Sequence, residues 1–146
     1  MSLHIRLAKP TDIEALLALY KKLNPGDELL SVADAVEQLE HLAKFTGSGV
    51  LVGIVGDEIV TSCTLIVIPN LTRGGRPYGL IENVVTHSAW RRRGFGKRIL
   101  RRAVETAWES DCYKVMLMTG SKTPATLAFY EAAGFSQNKT GFQVRR

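Results

Sequence analysis

The run IENVVTHSAWRRRGFGK, from Ile81 to Lys97, constrains this chain more than any other stretch. It joins an apolar segment, Leu80 to Thr86, to a helical one from Gly94 to about Glu109, through a short basic turn. Ile99, Leu100, Ala103, Val104, Ala107 and Trp108 recur on one side of that helix, so one face must be buried against a sheet. Glycines at 94 and 96 let the backbone approach a bulky group without side-chain interference. The first N–H groups of the new helix lack internal partners and lie at its positive end, which makes a site for phosphate. Arginines around the turn add charge and forked donors. Taken alone, R-x-x-G-x-G also describes a solvated basic turn. A dinucleotide-binding βαβ reading fits poorly, because the elements do not alternate, no third glycine stands at the required offset, and the turn comes late in the chain.

Charge keeps several ligands in play. Of a net +5, much is concentrated in Arg91, Arg92, Arg93, Lys97, Arg98, Arg101 and Arg102. Nucleic acid, an acidic membrane and a phosphate-rich cofactor would all be attracted.

The rest of the chain predicts the frame around this segment. Leu3, Ile5 and Leu7 alternate as a first strand, and Thr11 with Glu14 reads as a capping box opening a helix through Ile13, Leu16, Leu17 and Tyr20. Asn24-Pro25-Gly26-Asp27 breaks it. Ser31 with Asp34 opens a second helix ending near Thr46-Gly47. Val50–Val55 and Ile59–Ile68 are β-branched runs separated by Gly56-Asp57-Glu58, a hairpin signal. Asn70 to Pro77 reads as a loop. Val115–Met118 is a short apolar strand, Pro124 suits the first turn of a last helix that Gly134 ends, and Phe142–Arg146 is expected to form a final strand. The order β α α β β β α β α β predicts an α+β fold, a mixed and mostly antiparallel sheet flanked by about four helices. The 146 residues are expected to form one domain, residues 1–146.

No apolar run approaches the ~20 residues of a membrane span, and the first residues lack a signal peptide's pattern, so a cytoplasmic protein with no membrane partner is expected. Cys63 and Cys112 lie far apart, and His4, His41 and His87 are scattered, so neither a disulfide framework nor a metal site is expected. Each thiol reads as a small buried hydrophobe.

The R-x-x-G-x-G turn between strand and helix is followed some thirty residues later by Phe129-Tyr130-Glu131-Ala132-Ala133-Gly134-Phe135. The two motifs at this spacing resemble the GNAT superfamily of N-acetyltransferases, and the element order extends the resemblance over essentially the whole chain. Gly79-Leu80-Ile81-Glu82-Asn83-Val84-Val85, Cys112-Tyr113-Lys114-Val115, Phe129-Tyr130-Glu131 and Phe142-Gln143-Val144-Arg145-Arg146 are similar to the glucosamine-6-phosphate N-acetyltransferases within it. There are three departures. Asn83 stands where that subfamily has Asp, Thr123 or Thr126 where the superfamily commonly has an Asn touching CoA, and Ala132 where Lys is usual.

The resemblance implies acetyl-CoA as co-substrate and a primary amine as acceptor, either a small molecule such as an amino sugar phosphate or an aminoalkylphosphonate. It implies that the backbone of Arg91, Arg92, Arg93, Gly94, Phe95, Gly96 and Lys97 cradles the pyrophosphate. Val84 and Val85 would offer main-chain bonds to the pantetheine arm, as an added strand does, with Thr126 and Phe129 also against the cofactor. Tyr130 is the candidate general acid for the departing thiolate, since a phenol of pKa near ~10 matches a thiolate of roughly similar basicity. Its bland reading is a packing tyrosine. Glu82 is the candidate general base, through a water, with an ion pair to a loop arginine as its alternative role. His87 is the reserve base. Asn83, Arg73 and Arg76 are the acceptor candidates, the two arginines reading more naturally as solubilising charge. Acceptor pockets in the superfamily are built from variable loops, here Asn24–Leu30 and Asn70–Pro77. Transfer is expected to be direct, the oxyanion held by a backbone N–H near Val84 or Val85, with no cysteine intermediate. A homodimer through the C-terminal strands is implied by the subfamily.

Three other readings compete with this one. A polyanion-binding module would use Arg91 to Arg102, but Trp90, Phe95 and Trp108 make no stacking platform and no zinc or helix-turn-helix signature accompanies them, so no nucleic-acid partner is expected. The other two are a CoA-binding protein without catalysis and a protein N-terminal or lysine acetyltransferase.

Overall fold

The computed structural model describes residues 2–146. Among them run β1 (His4–Leu7), α1 (Ile13–Leu23), α2 (Val32–Ala43), β2 (Gly49–Val55), β3 (Glu58–Ile68), β4 (Tyr78–Thr86), α3 (Phe95–Glu109), β5 (Val115–Leu117) and α4 (Pro124–Ala132). The strands form one sheet in the order β1-β2-β3-β4-β5. The first four are antiparallel neighbours, and β5 joins β4 in parallel. This is the mixed, mostly antiparallel α+β architecture expected from the order of apolar periods.

Helices cover both faces of the sheet, and strand alternation sorts the side chains between them. Leu51, Cys63, Leu65 and Ile81 pack with Ile99, Leu100, Ala103 and Ala107 of α3 on one face. Val50, Val52 and, beyond a bulge in β3 opposite Gly53 and Ile54, Ile59 pack with Ile13, Leu16 and Leu19 of α1 and Ala35 of α2 on the other. Fully buried side chains such as Ile99 and Leu100 contribute roughly 1.5–3 kcal/mol each. The result fixes α3, and hence the turn before it, rigidly on the sheet.

Two helix starts follow the sequence and one does not. Ser31 Oγ accepts from Asp34 N–H (3.1 Å) at α2, and the Thr123 side chain caps α4 with Pro124 in its first turn. At α1 the expected Thr11–Glu14 capping box is absent. A short 3-10 turn over Pro10–Asp12 leads in instead, and Asp12 is occupied elsewhere. Its carboxylate accepts from the Lys9 N–H (2.7 Å) and from both guanidinium nitrogens of Arg6 (2.7 and 3.0 Å). A bidentate, charge-assisted pair outcompetes a hydroxyl cap.

The expected last strand is likewise not formed. After α4 the chain runs to Arg146 without strand pairing, and Phe142 and Val144 are 92% and 96% exposed. Phe142–Arg146 pairs with neither edge strand of the sheet, β1 or β5, and its side chains stand in solvent.

Candidate active site

The site begins with a defect in the sheet. Between β3 and β4, Thr64 faces Glu82 and Ser62 faces Val85, so three steps on β4 match two on β3. The extra residue is taken up at Asn83, which sits at φ 54. Such a bulge bends the strand and re-aims its side chains, and Asn is among the few residues that tolerate the left-handed region. Pairing of β4 with β5 stops at Ile81 and Leu117. Beyond that point the strands part, leaving an unpaired edge on β4 and a cleft beside it.

A groove of about 810 Å³ runs from this cleft to the start of α3. Val84, Val85 and Thr86 form its floor, Arg91, Arg92, Gly94, Phe95, Gly96 and Lys97 its far end, and Ala125, Thr126, Phe129 and Tyr130 one wall. The far end is made largely of backbone. Arg92 (φ 61) and Gly94 (φ 76) both take the left-handed conformation, and no side chain caps α3. The first intrahelical bond runs from Arg98 N–H to the Gly94 carbonyl (3.0 Å), so the amides of the preceding turn are free to bind an anion. At Gly96 a Cβ would lie 3.0 Å from Phe129 Cζ and 3.3 Å from Thr86 Oγ1. Glycine there lets the two sequence motifs touch, and it keeps the groove open for a phosphate-bearing chain. The residues present therefore fit a cofactor with a pyrophosphate at one end and an extended amide arm along β4.

The structure separates the arginines that sequence grouped together. Arg91 donates from Nε to the Thr86 carbonyl (3.3 Å) and Arg92 lines the groove. Arg93 does not line it, and its guanidinium lies 4.9 Å from the centre of the Trp90 ring.

A second, smaller groove of about 350 Å³ adjoins the first across Leu23, Val84 and Tyr130. It is lined by Asn24, Glu82, Asn83, Met118, Thr119 and Gly120 among others. Glu82 is exposed and, among the described residues, forms no ion pair. Tyr130 lies at the junction, half-buried, edge-on to Phe129 (5.0 Å) and Phe135 (6.5 Å). Burial pushes its phenol above the ordinary value, so it holds its proton at neutral pH.

Arg73 and Arg76, grouped with Asn83 as acceptor candidates, are not in either groove. They precede β4 at its opposite end, where Arg76 pairs with Asp111 (3.4 Å) and Arg73 lies over the Tyr113 ring (5.3 Å). Distance along a nine-residue strand separates them from the bulge. His87 is also engaged, its Nδ1 accepting from the Ala89 N–H (3.1 Å). Cys63 is fully buried, its thiol pushed up to about 12 by desolvation, and burial and the nearby Asp111 raise Cys112 as well. Among the described residues no group of His, Cys, Asp and Glu could hold a metal ion.

Sequence reasoning missed Lys22, Leu23, Trp90 and Met118. Lys22 and Leu23 end α1, far from the motifs along the chain, and only the packing of α1 on the sheet brings them to the groove.

The Acetyltransferase (GNAT) family model matches residues 13–135. The chain is similar to a glucosamine 6-phosphate N-acetyltransferase of Trypanosoma brucei brucei, 32% identical over 140 residues that cover 92% of this chain and 90% of the relative. Among solved structures it is similar to one from Agrobacterium tumefaciens, described as an acetyltransferase, with 47% identity, a TM-score of 0.91 and coverage of 98% and 99% of the two chains. A Trypanosoma brucei acetyltransferase structure matches at 28% identity and a TM-score of 0.87, covering 99% of this chain and all of that one.

Proposed function

The chain belongs to the acetyltransferase (GNAT) family, an enzyme using acetyl-CoA as co-substrate, and on that premise we propose that the acceptor is a small-molecule primary amine of the amino sugar phosphate or aminoalkylphosphonate class. The observation that carries this reading is the meeting of two grooves at Tyr130 and Val84, one shaped for an extended cofactor and one small and polar beside it.

In this reading the backbone of Arg92 to Lys97 holds the pyrophosphate, and Val84 and Val85 hold the pantetheine arm with Thr126 and Phe129 beside it. The acceptor occupies the groove of Glu82 and Asn83. Glu82 removes a proton from the ammonium through a water, and the freed amine attacks the thioester carbon. A backbone N–H near Val84 or Val85 stabilises the oxyanion. The carbon–sulfur bond then breaks, the thiolate takes its proton from Tyr130, and the second proton shed by the acetylated nitrogen restores the phenol. Both cysteines stay protonated and enclosed, which supports direct transfer over a covalent intermediate.

The reading includes a homodimer and a cytoplasmic site of action. Exposed Phe142 and Val144 on an unpaired tail support the first. Two free, buried thiols support the second, and no helix among the described residues is long and apolar enough to cross a membrane.

The test is release of free CoA thiol from acetyl-CoA with a panel of glucosamine 6-phosphate, glucosamine, aminoalkylphosphonates and peptides bearing free N-termini or lysines. Turnover with a small amine, and its acetylated product by mass, is expected. Turnover confined to peptides would overturn the acceptor class.

A further inference from the structure

Lys22 is the cation that α1 brings to the cofactor groove, across from the arginines of the turn. Its Nζ lies 2.9 Å from Nε2 of His87. Among the described residues no carboxylate pairs with it. His87 is itself held, because its Nδ1 accepts from the Ala89 N–H at the start of the basic turn (3.1 Å). The exposed ammonium thus lies one imidazole ring away from the segment that leads to the pyrophosphate cradle.

The hydrogen-bond polarity of this contact is unbalanced. A neutral imidazole has one N–H and one acceptor nitrogen, and an ammonium has donors only. If Nδ1 accepts from Ala89, the ring proton is on Nε2 and faces the Lys22 ammonium. If Nε2 accepts from Lys22, the proton is on Nδ1 and faces the Ala89 N–H. Either tautomer leaves two donors opposed. An anionic oxygen accepting from both Lys22 and the imidazole N–H removes the conflict, and charge-assisted bonds of this kind are about twice as strong as neutral ones.

From this we infer that Lys22 and His87 form a phosphate-binding site beside the cofactor groove, next to Leu23 where the two grooves meet, a reading that rests on the proposed function above. Lys22 lines the cofactor groove, Leu23 lines both grooves and Asn24 lines the smaller one. Among the residues lining the smaller groove there is no Lys, Arg or His, and Lys22 directly precedes Leu23 and Asn24, which line it. The phosphate therefore belongs either to the cofactor or to the acceptor, with the same chemistry in both cases.

Calorimetric titration distinguishes the two sources and does not require turnover. The full chain, as wild type, Lys22→Met and Lys22→Arg, is titrated with CoA and with pantetheine. Glucosamine 6-phosphate and glucosamine are then titrated into the CoA complex. Methionine keeps the aliphatic stem and removes the charge, and arginine restores a donor.

The site predicts that Lys22→Met weakens the phosphate-bearing member of one pair about tenfold. Its phosphate-free partner shifts less than twofold, and Lys22→Arg recovers most of the loss. Loss for CoA assigns the site to the cofactor, and loss for the sugar phosphate assigns it to the acceptor. Unchanged binding of all four ligands by Lys22→Met overturns the inference, as does equal weakening with and without phosphate. If wild type binds CoA in a Lys22-dependent way yet acetylates no amine, the transferase reading falls and the phosphate site stands.

Discussion

The two grooves that meet at Tyr130 are built in different ways. The cofactor end is contiguous in sequence and made largely of backbone: one bulged strand, one turn with left-handed Arg92 and Gly94, and the uncapped start of α3. The acceptor end is assembled from side chains of separate segments, Asn24 after α1, Glu82 and Asn83 on β4, and Met118 to Gly120 after β5. A backbone site recognises an anion at a helix N-terminus with little dependence on side-chain identity. A side-chain site can change its ligand with single substitutions and leave the fold alone.

The largest effect expected from this contrast is at Gly96. Gly96→Val places a branched Cβ against Phe129 and Thr86 and closes the cradle, so affinity for CoA falls at least about a hundredfold with far-UV circular dichroism unchanged. Retained affinity would mean that the backbone there does not approach the cofactor.

Tyr130→Phe tests the junction. A loss of roughly 10–100-fold in kcat, with KM for acetyl-CoA within threefold, is expected if the phenol supplies a proton only as the thiolate leaves. The protonated form is required and burial raises the phenol above its ordinary value. An alkaline limb set by Tyr130 therefore lies above the ordinary phenol range and is absent from the phenylalanine variant. Steady-state profiles of both proteins check this.

On the acceptor side, Glu82→Gln lowers kcat about tenfold near neutrality. The deficit shrinks as pH rises, because the amine then reaches the site already deprotonated. A deficit independent of pH would make Glu82 a binding group. By contrast, Arg91→Ala is expected to raise KM for acetyl-CoA only about threefold, an effect that fades in added salt, because that end of the groove relies on amides more than guanidinium groups.

The same contrast explains what could be read in the sequence. The turn Arg91–Gly96, the strand before it and the FYE segment lie in short windows whose glycine spacing and apolar period carry geometry directly. Phe129 could be joined to Gly96 because both motifs were visible, although their contact was not. Lys22 could not be found that way, since its place depends on how α1 crosses the sheet. Arg73 and Arg76 show the same limit: a loop rich in Gly and Arg says that a turn is present, not which end of β4 it occupies, and their reading as solubilising charge agrees with their place outside both grooves. The Thr11 cap failed because Arg6, on the neighbouring strand, captures Asp12 in a pair that no local motif encodes.

That pair gives a prediction on stability alone and a control outside both grooves. Arg6 bonding first, with the Lys9 N–H adding to it against desolvation, holds the Asp12 carboxyl below the usual carboxylate value. Its stabilising contribution is present above the unfolded value near ~3.9 and is lost as pH falls through the folded one. Asp12→Asn should lower Tm by a few degrees, about 1 kcal/mol, and leave KM for acetyl-CoA unchanged. A changed KM would mean that α1 is coupled to the groove through its start.

Thermal melting with acetyl-CoA, CoA and generic duplex DNA, at low and moderate salt, tests the central claim most directly. A ligand bound only by the folded chain raises Tm by mass action. The account predicts a clear rise with acetyl-CoA and CoA that survives moderate salt and that DNA does not reproduce. No rise with acetyl-CoA well above micromolar levels, alongside a salt-sensitive rise with DNA, would contradict it and make the turn from Arg91 to Lys97 a general polyanion site.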